Sequence, residues 1–280
     1  MNDERNAIEI LSGNDFSLVL SGGGALGISH LGVIGDMERA HLTPREIVGT
    51  SMGGIIGACM SIGMREEEIY EQIKRFSGVG NWLHFSYGNN SLVSDRKISL
   101  IFDSIFGDMK ISETKIALKI VATDLESGQK RVFDSHRDET PIRDALLATM
   151  AIPGIFQEKS MEGKVYVDGF ICANLPVCES SYDTILAIDA LGRNSFHRKP
   201  SGAFFKSARV AGMFERSIRL LILNQTRSSL QRCHGTIILV EPKTADFKTY
   251  HFHKPDLIRK CGMGLLETSH TIDYTTNEKE

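Results

Sequence analysis

The chain of 280 residues is 41% hydrophobic and 24% charged, a globular composition that excludes long disorder, collagen and coiled coil. Its 32 basic and 35 acidic residues leave a net charge of −3, which excludes attachment to nucleic acid by bulk basic charge. Glycine is the outlier: 12 of 26 fall within residues 1–64, so the N-terminal part needs bare backbone.

In chain order, residues 1–15 form a polar, mixed-charge extension with no apolar segment and cleavage site, so no cleaved signal peptide is expected. Residues 16–20 (Phe-Ser-Leu-Val-Leu) predict a first strand, a Gly-rich turn follows, and a helix runs to about Ala40. Residues 46–48 predict a second short strand, with a turn at 49–53 and an apolar helix to about Ile62. The apolar windows, such as 53–64, fall short of the ~20 residues that span a bilayer, so a cytoplasmic or peripheral membrane location is expected. Residues 77–95 read as a loop carrying Trp82, Phe85 and Tyr87, the candidates for an exposed patch that meets lipid. Further strands are predicted at 115–122, 164–167, 184–188 and 236–240. An amphipathic helix over about 203–233 has Val210, Met213, Phe214, Ile218, Leu221 and Ile222 at helical spacing. Strands alternating with helices and no Pro/Gly/Ser linker predict one α/β unit. The five cysteines are scattered and lack a CxxC pair, so they are expected to be reduced and structural, with no metal role.

Two strand-to-helix turns carry the chemistry. Gly49-Thr50-Ser51-Met52-Gly53 is a G-x-S-x-G pattern; glycines on either side relieve the crowding of a sharp turn that holds a serine out at a helix N-terminus. Ser21-Gly22-Gly23-Gly24-Ala25-Leu26-Gly27 leaves backbone N–H groups free to converge on an anion. Gly22-x-Gly24-x-x-Gly27 also satisfies a dinucleotide fingerprint, but that motif expects an acidic residue ending the second strand, and Glu46 stands at its start. An oxyanion hole serving Ser51 is the better reading. A serine nucleophile needs a base. None of the nine histidines, His30, His234, His251 and His253 included, sits in a convincing triad context. Asp168, ending a strand and followed by Gly169, can bring a carboxylate to the sheet edge that presents Ser51.

These blocks, SGGGALG at 21–27, GTSMGG at 49–54 and VDGFICANLPV at 167–177, together with VATDLESGQKRVF at 121–133 and IRDALLATMAIPGIF at 142–156, resemble the patatin-like phospholipases. They follow the family's order over roughly residues 16–190, and HFHKPDLIRKCGMGLLE near the end resembles its closing helix. The resemblance implies a three-layer α/β/α fold with a mainly parallel central sheet, residues 16–190 as catalytic core and 191–280 completing the same domain. It implies a Ser–Asp dyad without catalytic histidine, metal or cofactor: Ser51 matches the nucleophile, Asp168 the general base, and Gly22, Gly23 and Gly24 the oxyanion-hole turn. Gly27, Gly49, Gly53 and Gly169 support those motifs. Two positions depart from the pattern: Leu26 stands where many members carry Arg or Lys, and Phe170 replaces a small residue beside the base. The implied activity is hydrolysis of fatty acyl esters of phospholipids or related lipids at a membrane or micelle surface. An acyltransferase using the same acyl-enzyme, or a weakened lipid-binding member, are the alternatives.

Overall fold

The computed structural model describes residues 6–78, 95–196, 206–268 and 271–273. Among the described residues nine strands form one sheet: β1 (Phe16–Leu20), β2 (Glu46–Thr50), β3 (Ala117–Asp124), β4 (Lys130–Asp134), β5 (Lys159–Met161), β6 (Lys164–Asp168), β7 (Thr184–Ile188), β8 (Thr236–Val240) and β9 (Thr271–Asp273). The described helices are α1 (Ala7–Ser12), α2 (Ser29–Arg39), α3 (Met52–Ser61), α4 (Glu66–Gly78), α5 (Asp95–Phe106), α6 (Ile142–Thr149), α7 (Phe170–Ala173), α8 (Lys206–Arg232) and α9 (Pro255–Lys260).

The central strands run β3-β2-β1-β7-β8 and are all parallel, whereas β4, β5, β6 and β9 add antiparallel pairings at the flanks. Every residue of β1, β2 and β7 is buried, as parallel strands covered on both faces require. Alternate side chains feed opposite faces. Leu18, Leu20 and Ile47 join a core with Ile34 of α2 and Ile56 of α3, while Val19, Val48 and Ala187 join a second core closed by Leu230 of α8. The mixed α/β architecture expected from the sequence is therefore observed, with helices on both faces of the sheet.

One detail of register positions the site. Val121 of β3 pairs with Thr50 of β2 and with Val132 of β4, and Ala122 pairs with Arg131 of β4 and with Asp168 of β6. A residue has only two ladder edges, so β2 and β6 share one edge of β3. They run in opposite directions and meet end to end, with Thr50 opposite Val121 and Asp168 opposite the next residue. The two strands before the reactive-looking turns thus converge although their ends lie far apart in sequence.

The strands β4, β5 and β9 lack a prominent apolar run; β4, Lys-Arg-Val-Phe-Asp, is mostly charged and was not expected from hydropathy. The cysteine expectation is corrected: Cys178 and Cys233 are disulfide-bonded across 55 residues, joining the segment after α7 to the end of α8. Cys59, Cys172 and Cys261 are free thiols. Closing a loop of that length stabilises a fold by about 4 kcal/mol in the chain-entropy description. Reductant is accordingly expected to lower the Tm of the intact protein, and the Cys178→Ser/Cys233→Ser variant to have the lower Tm with no further response to reductant; calorimetry with and without dithiothreitol checks this.

Candidate active site

Ser51 is the residue between β2 and α3, and its backbone lies at φ 52° and ψ −122°. A non-glycine residue with positive φ is strained, and such strain collects where a side chain must be presented in one direction. The turn is tight enough to demand both flanking glycines. A Cβ on Gly49 would stand 2.6 Å from the Gly53 carbonyl, and one on Gly53 would stand 2.4 Å from the Leu20 carbonyl oxygen. Ser51 N–H donates to Thr149 Oγ1 at 2.8 Å, and that hydroxyl donates to Val121 O at 2.5 Å. Thr50 Oγ1 donates to Ala173 O at 2.8 Å. The elbow is therefore tied to α6, β3 and α7 at once. Thr149 was not singled out in the sequence, where a threonine ending a helix carries no signal of this contact.

Asp168 meets Ser51 across 117 residues: Ser51 Oγ donates to Asp168 Oδ2 at 2.6 Å. Phe170 N–H donates to Asp168 Oδ1 at 2.9 Å, so each carboxylate oxygen has a donor. Gly169 is obligatory here, since its Cβ would stand 2.2 Å from Val121 O. Asp168 is fully buried, and burial raises its pKa to about 7 against the lowering effect of the bonds from Ser51 and Phe170. A carboxylate that titrates near neutrality is suited to exchange a proton with an alcohol.

The glycine turn follows β1, beside the end of β2. Gly23 and Gly24 have φ of 153° and 54°. Among the described residues, neither of their N–H groups has a backbone acceptor, while Ala25 N–H donates to Thr249 O and Leu26 N–H to Gly23 O. Gly22 is a correction: its N–H donates to Asn174 O at 3.1 Å, so it anchors the turn and is not free to bind an anion. A Cβ on Gly27 would stand 2.6 Å from Met52 Cγ, so this glycine lets the two turns approach one another.

His30 lies beneath the turn, fully buried, with Nε2 2.9 Å from Ser21 O. Burial pushes its pKa down to about 4 despite that bond, so it is a neutral donor bracing the turn. His251 Nδ1 accepts from Lys248 N–H at 3.2 Å. The two departures from the family pattern prove to be neighbours: Leu26 and Phe170 pack in one apolar cluster with Ala190, Leu191 and Ile222. The Phe170 side chain is absorbed under α8 while its amide holds the Asp168 carboxylate. Trp82, Phe85 and Tyr87 lie outside the described residues. No helix among the described residues is long and apolar enough to cross a membrane, and no group of metal-ligating side chains is found among them.

The family model that matches this chain is the patatin-like phospholipase, over residues 18–179. Lysophospholipase NTE1 of Debaryomyces hansenii is 27% identical over 95% of this chain, and lysophospholipase NTE1 of Saccharomyces cerevisiae is 26% identical over 94%. The chain spans 18% and 17% of the lengths of those two relatives. In fold it is similar to VipD from Legionella pneumophila, with a TM-score of 0.53 over 92% of this chain and 68% of VipD at 13% identity.

Proposed function

This chain belongs to the patatin-like phospholipase family, and we propose that it is a serine hydrolase of fatty acyl esters in phospholipids or lysophospholipids, working through a Ser51–Asp168 dyad. The observation that carries this reading is the 2.6 Å hydrogen bond from Ser51 Oγ to a buried carboxylate at a strained elbow. Asp168 takes the Ser51 proton as Oγ attacks the ester carbonyl carbon. The negative oxygen that develops is met by the N–H groups of Gly23 and Gly24. Collapse of the tetrahedral intermediate expels the lipid alcohol, which takes the proton from Asp168, and leaves an acyl group on Ser51. Water, deprotonated by Asp168, then attacks the acyl-enzyme and releases the fatty acid. The names of the relatives support lysophospholipids as substrates.

With a base whose pKa is about 7, only the ionised form accepts the serine proton. Hydrolysis is thus expected to rise with pH through about 7 on its acid limb. The reading is tested by incubating the protein with lysophosphatidylcholine micelles and phosphatidylcholine vesicles, and scoring free fatty acid against any new ester by mass spectrometry. Release of free fatty acid, with a fluorophosphonate adduct mapped to Ser51, is expected. No fatty acid and no Ser51 adduct would sink the proposal, and accumulation of a new ester in place of fatty acid would convert it to acyl transfer.

A further inference from the structure

One buried amide beside the dyad has no part in the mechanism above. Asn174 follows α7 and is 1% exposed. Its backbone is held at both ends: its carbonyl accepts from Gly22 N–H at 3.1 Å, and its N–H donates to Gln225 Oε1 at 2.9 Å. Gln225 Nε2 in turn donates to Ile171 O at 2.8 Å, so α8 fixes the whole segment. The side chain is treated differently. Both Asn174 Oδ1 and Nδ2 are buried without a hydrogen-bond partner among the described residues. A buried amide left unpaired on both atoms is costly, and a catalytic role is one of the reasons a folded protein keeps such a group.

The direction of the amide says which function. A Cβ built on Gly22 would stand 2.8 Å from Asn174 Oδ1 and 3.3 Å from Ser51 Cβ. The amide and the stem of Ser51 therefore face one another across the bare α-carbon of Gly22, at the turn whose next two N–H groups have no acceptor among the described residues. A half-turn about the Cβ–Cγ bond exchanges oxygen for nitrogen, and among the described residues neither atom has a hydrogen bond to break.

We propose that Asn174 is a catalytic residue: Nδ2 donates a hydrogen bond to the acyl oxyanion formed at Ser51, supplying the donor that Gly22 cannot. The assignment rests on the reading of Ser51 as the acyl nucleophile. Asn174 acts twice, its carbonyl anchoring the glycine turn and its amide completing the anion site. The donor is desolvated before substrate arrives, so little reorganisation accompanies the reaction.

The test uses Asn174→Leu, close in shape, and Asn174→Ala, which keeps the experiment readable should leucine pack poorly. Loss of one oxyanion donor is expected to lower kcat for lysophosphatidylcholine about 10²–10³-fold with KM changed by less than about threefold. Affinity for a fatty trifluoromethyl ketone, which forms a tetrahedral adduct on Ser51, is expected to fall in step with kcat/KM. The Tm of the leucine variant is expected to equal or exceed wild type, because an unpaired amide has been replaced by an apolar group. An amide that merely holds the structure would give a falling Tm in both variants with kcat per folded molecule within about threefold of wild type, and that result overturns the proposal. So does a folded alanine variant with kcat within about threefold of wild type. A wild-type protein that forms no fluorophosphonate adduct on Ser51 overturns the dyad reading and this assignment together. A normal adduct with unaffected Asn174 variants overturns this assignment alone.

Discussion

Replacing Asp168 by Asn is expected to lower kcat by about 10⁴-fold, the upper range for a single general base, and at the same time to raise the Tm above pH 7. Ser51→Ala, which removes the proposed nucleophile, is expected to lose about 10⁶-fold. The stability gain follows from the same burial that raises the pKa of the carboxyl. The carboxyl titrates at 3.8 in a solvated chain and at about 7 in the folded protein. Its pKa is raised on folding, so the wild-type fold loses stability as pH climbs from 3.8 to 7 and holds the full penalty above that. A shift of that size is of the order of 4 kcal/mol at 1.36 kcal/mol per unit. Asparagine removes the charge and still offers an oxygen to Phe170 N–H and an N–H to Ser51 Oγ. The difference in Tm between variant and wild type should therefore be small at pH 4 and largest near pH 8. Thermal melts across that range, paired with fatty acid release, check both halves. A variant that loses activity and also melts lower at pH 8 would mean that Asp168 is mainly structural.

Breaking the Glu46–Lys119 pair is expected to cost about 3–5 kcal/mol, because it strands a charge inside the protein. Glu46 is 1% exposed; its Oε1 lies 2.8 Å from Lys119 Nζ, and its Oε2 accepts from Ser17 Oγ and Ser181 N–H, each at 2.8 Å. Lys119 Nζ also donates to Glu179 O at 2.8 Å and Ser181 Oγ at 2.6 Å. Burial pushes the Glu46 pKa up, but Lys119, the Ser181 amide and the hydroxyls outweigh it and hold the group below its ordinary value. A lowered pKa means that the pair stabilises the fold above the ordinary glutamate pKa of 4.5 and that this is lost as pH falls through the folded value. Glu46→Ala leaves the ammonium without its carboxylate and should lower the urea midpoint at pH 7 far more than at pH 3. Glu46 begins β2 while Ser51 follows its end, about 16 Å away at strand rise, so kcat per folded molecule should not change. A loss of kcat in folded Glu46→Ala would show that the pair reaches the site.

The local parts of this protein were legible from residue order. The strands at Phe16–Leu20, Thr184–Ile188 and Thr236–Val240 match their apolar runs to the residue, because a buried parallel strand needs little besides a continuous apolar segment. The two glycine turns were legible for a related reason. Gly49 answers a steric demand from Gly53 and Gly54, close in sequence, and Gly23 a positive φ, whereas the crowding at Gly53 comes from Leu20 at the end of β1, which only the paired strands bring near. The charged strand β4 was not legible, since its place is set by the free edge of β3 rather than by its own hydropathy.

Sequence alone therefore determined the local turns: Ser51 between two glycines at a strand-to-helix elbow, a glycine-rich turn after β1, and an Asp-Gly pair at a strand end. Those features are written in runs of five to seven residues because strand-to-helix turns are governed by local backbone sterics. Tertiary structure decided how the turns combine. That Ser51 and Asp168 meet depends on β2 and β6 sharing one edge of β3, a register between segments 117 residues apart. That Gly22 serves as an anchor, that the Asn174 amide has no partner among the described residues, and that Cys178 reaches Cys233 are likewise consequences of long-range packing. Hydrogen bonds and buried charges are settled by which groups the fold brings together after water is removed, and no local pattern of residues carries that information.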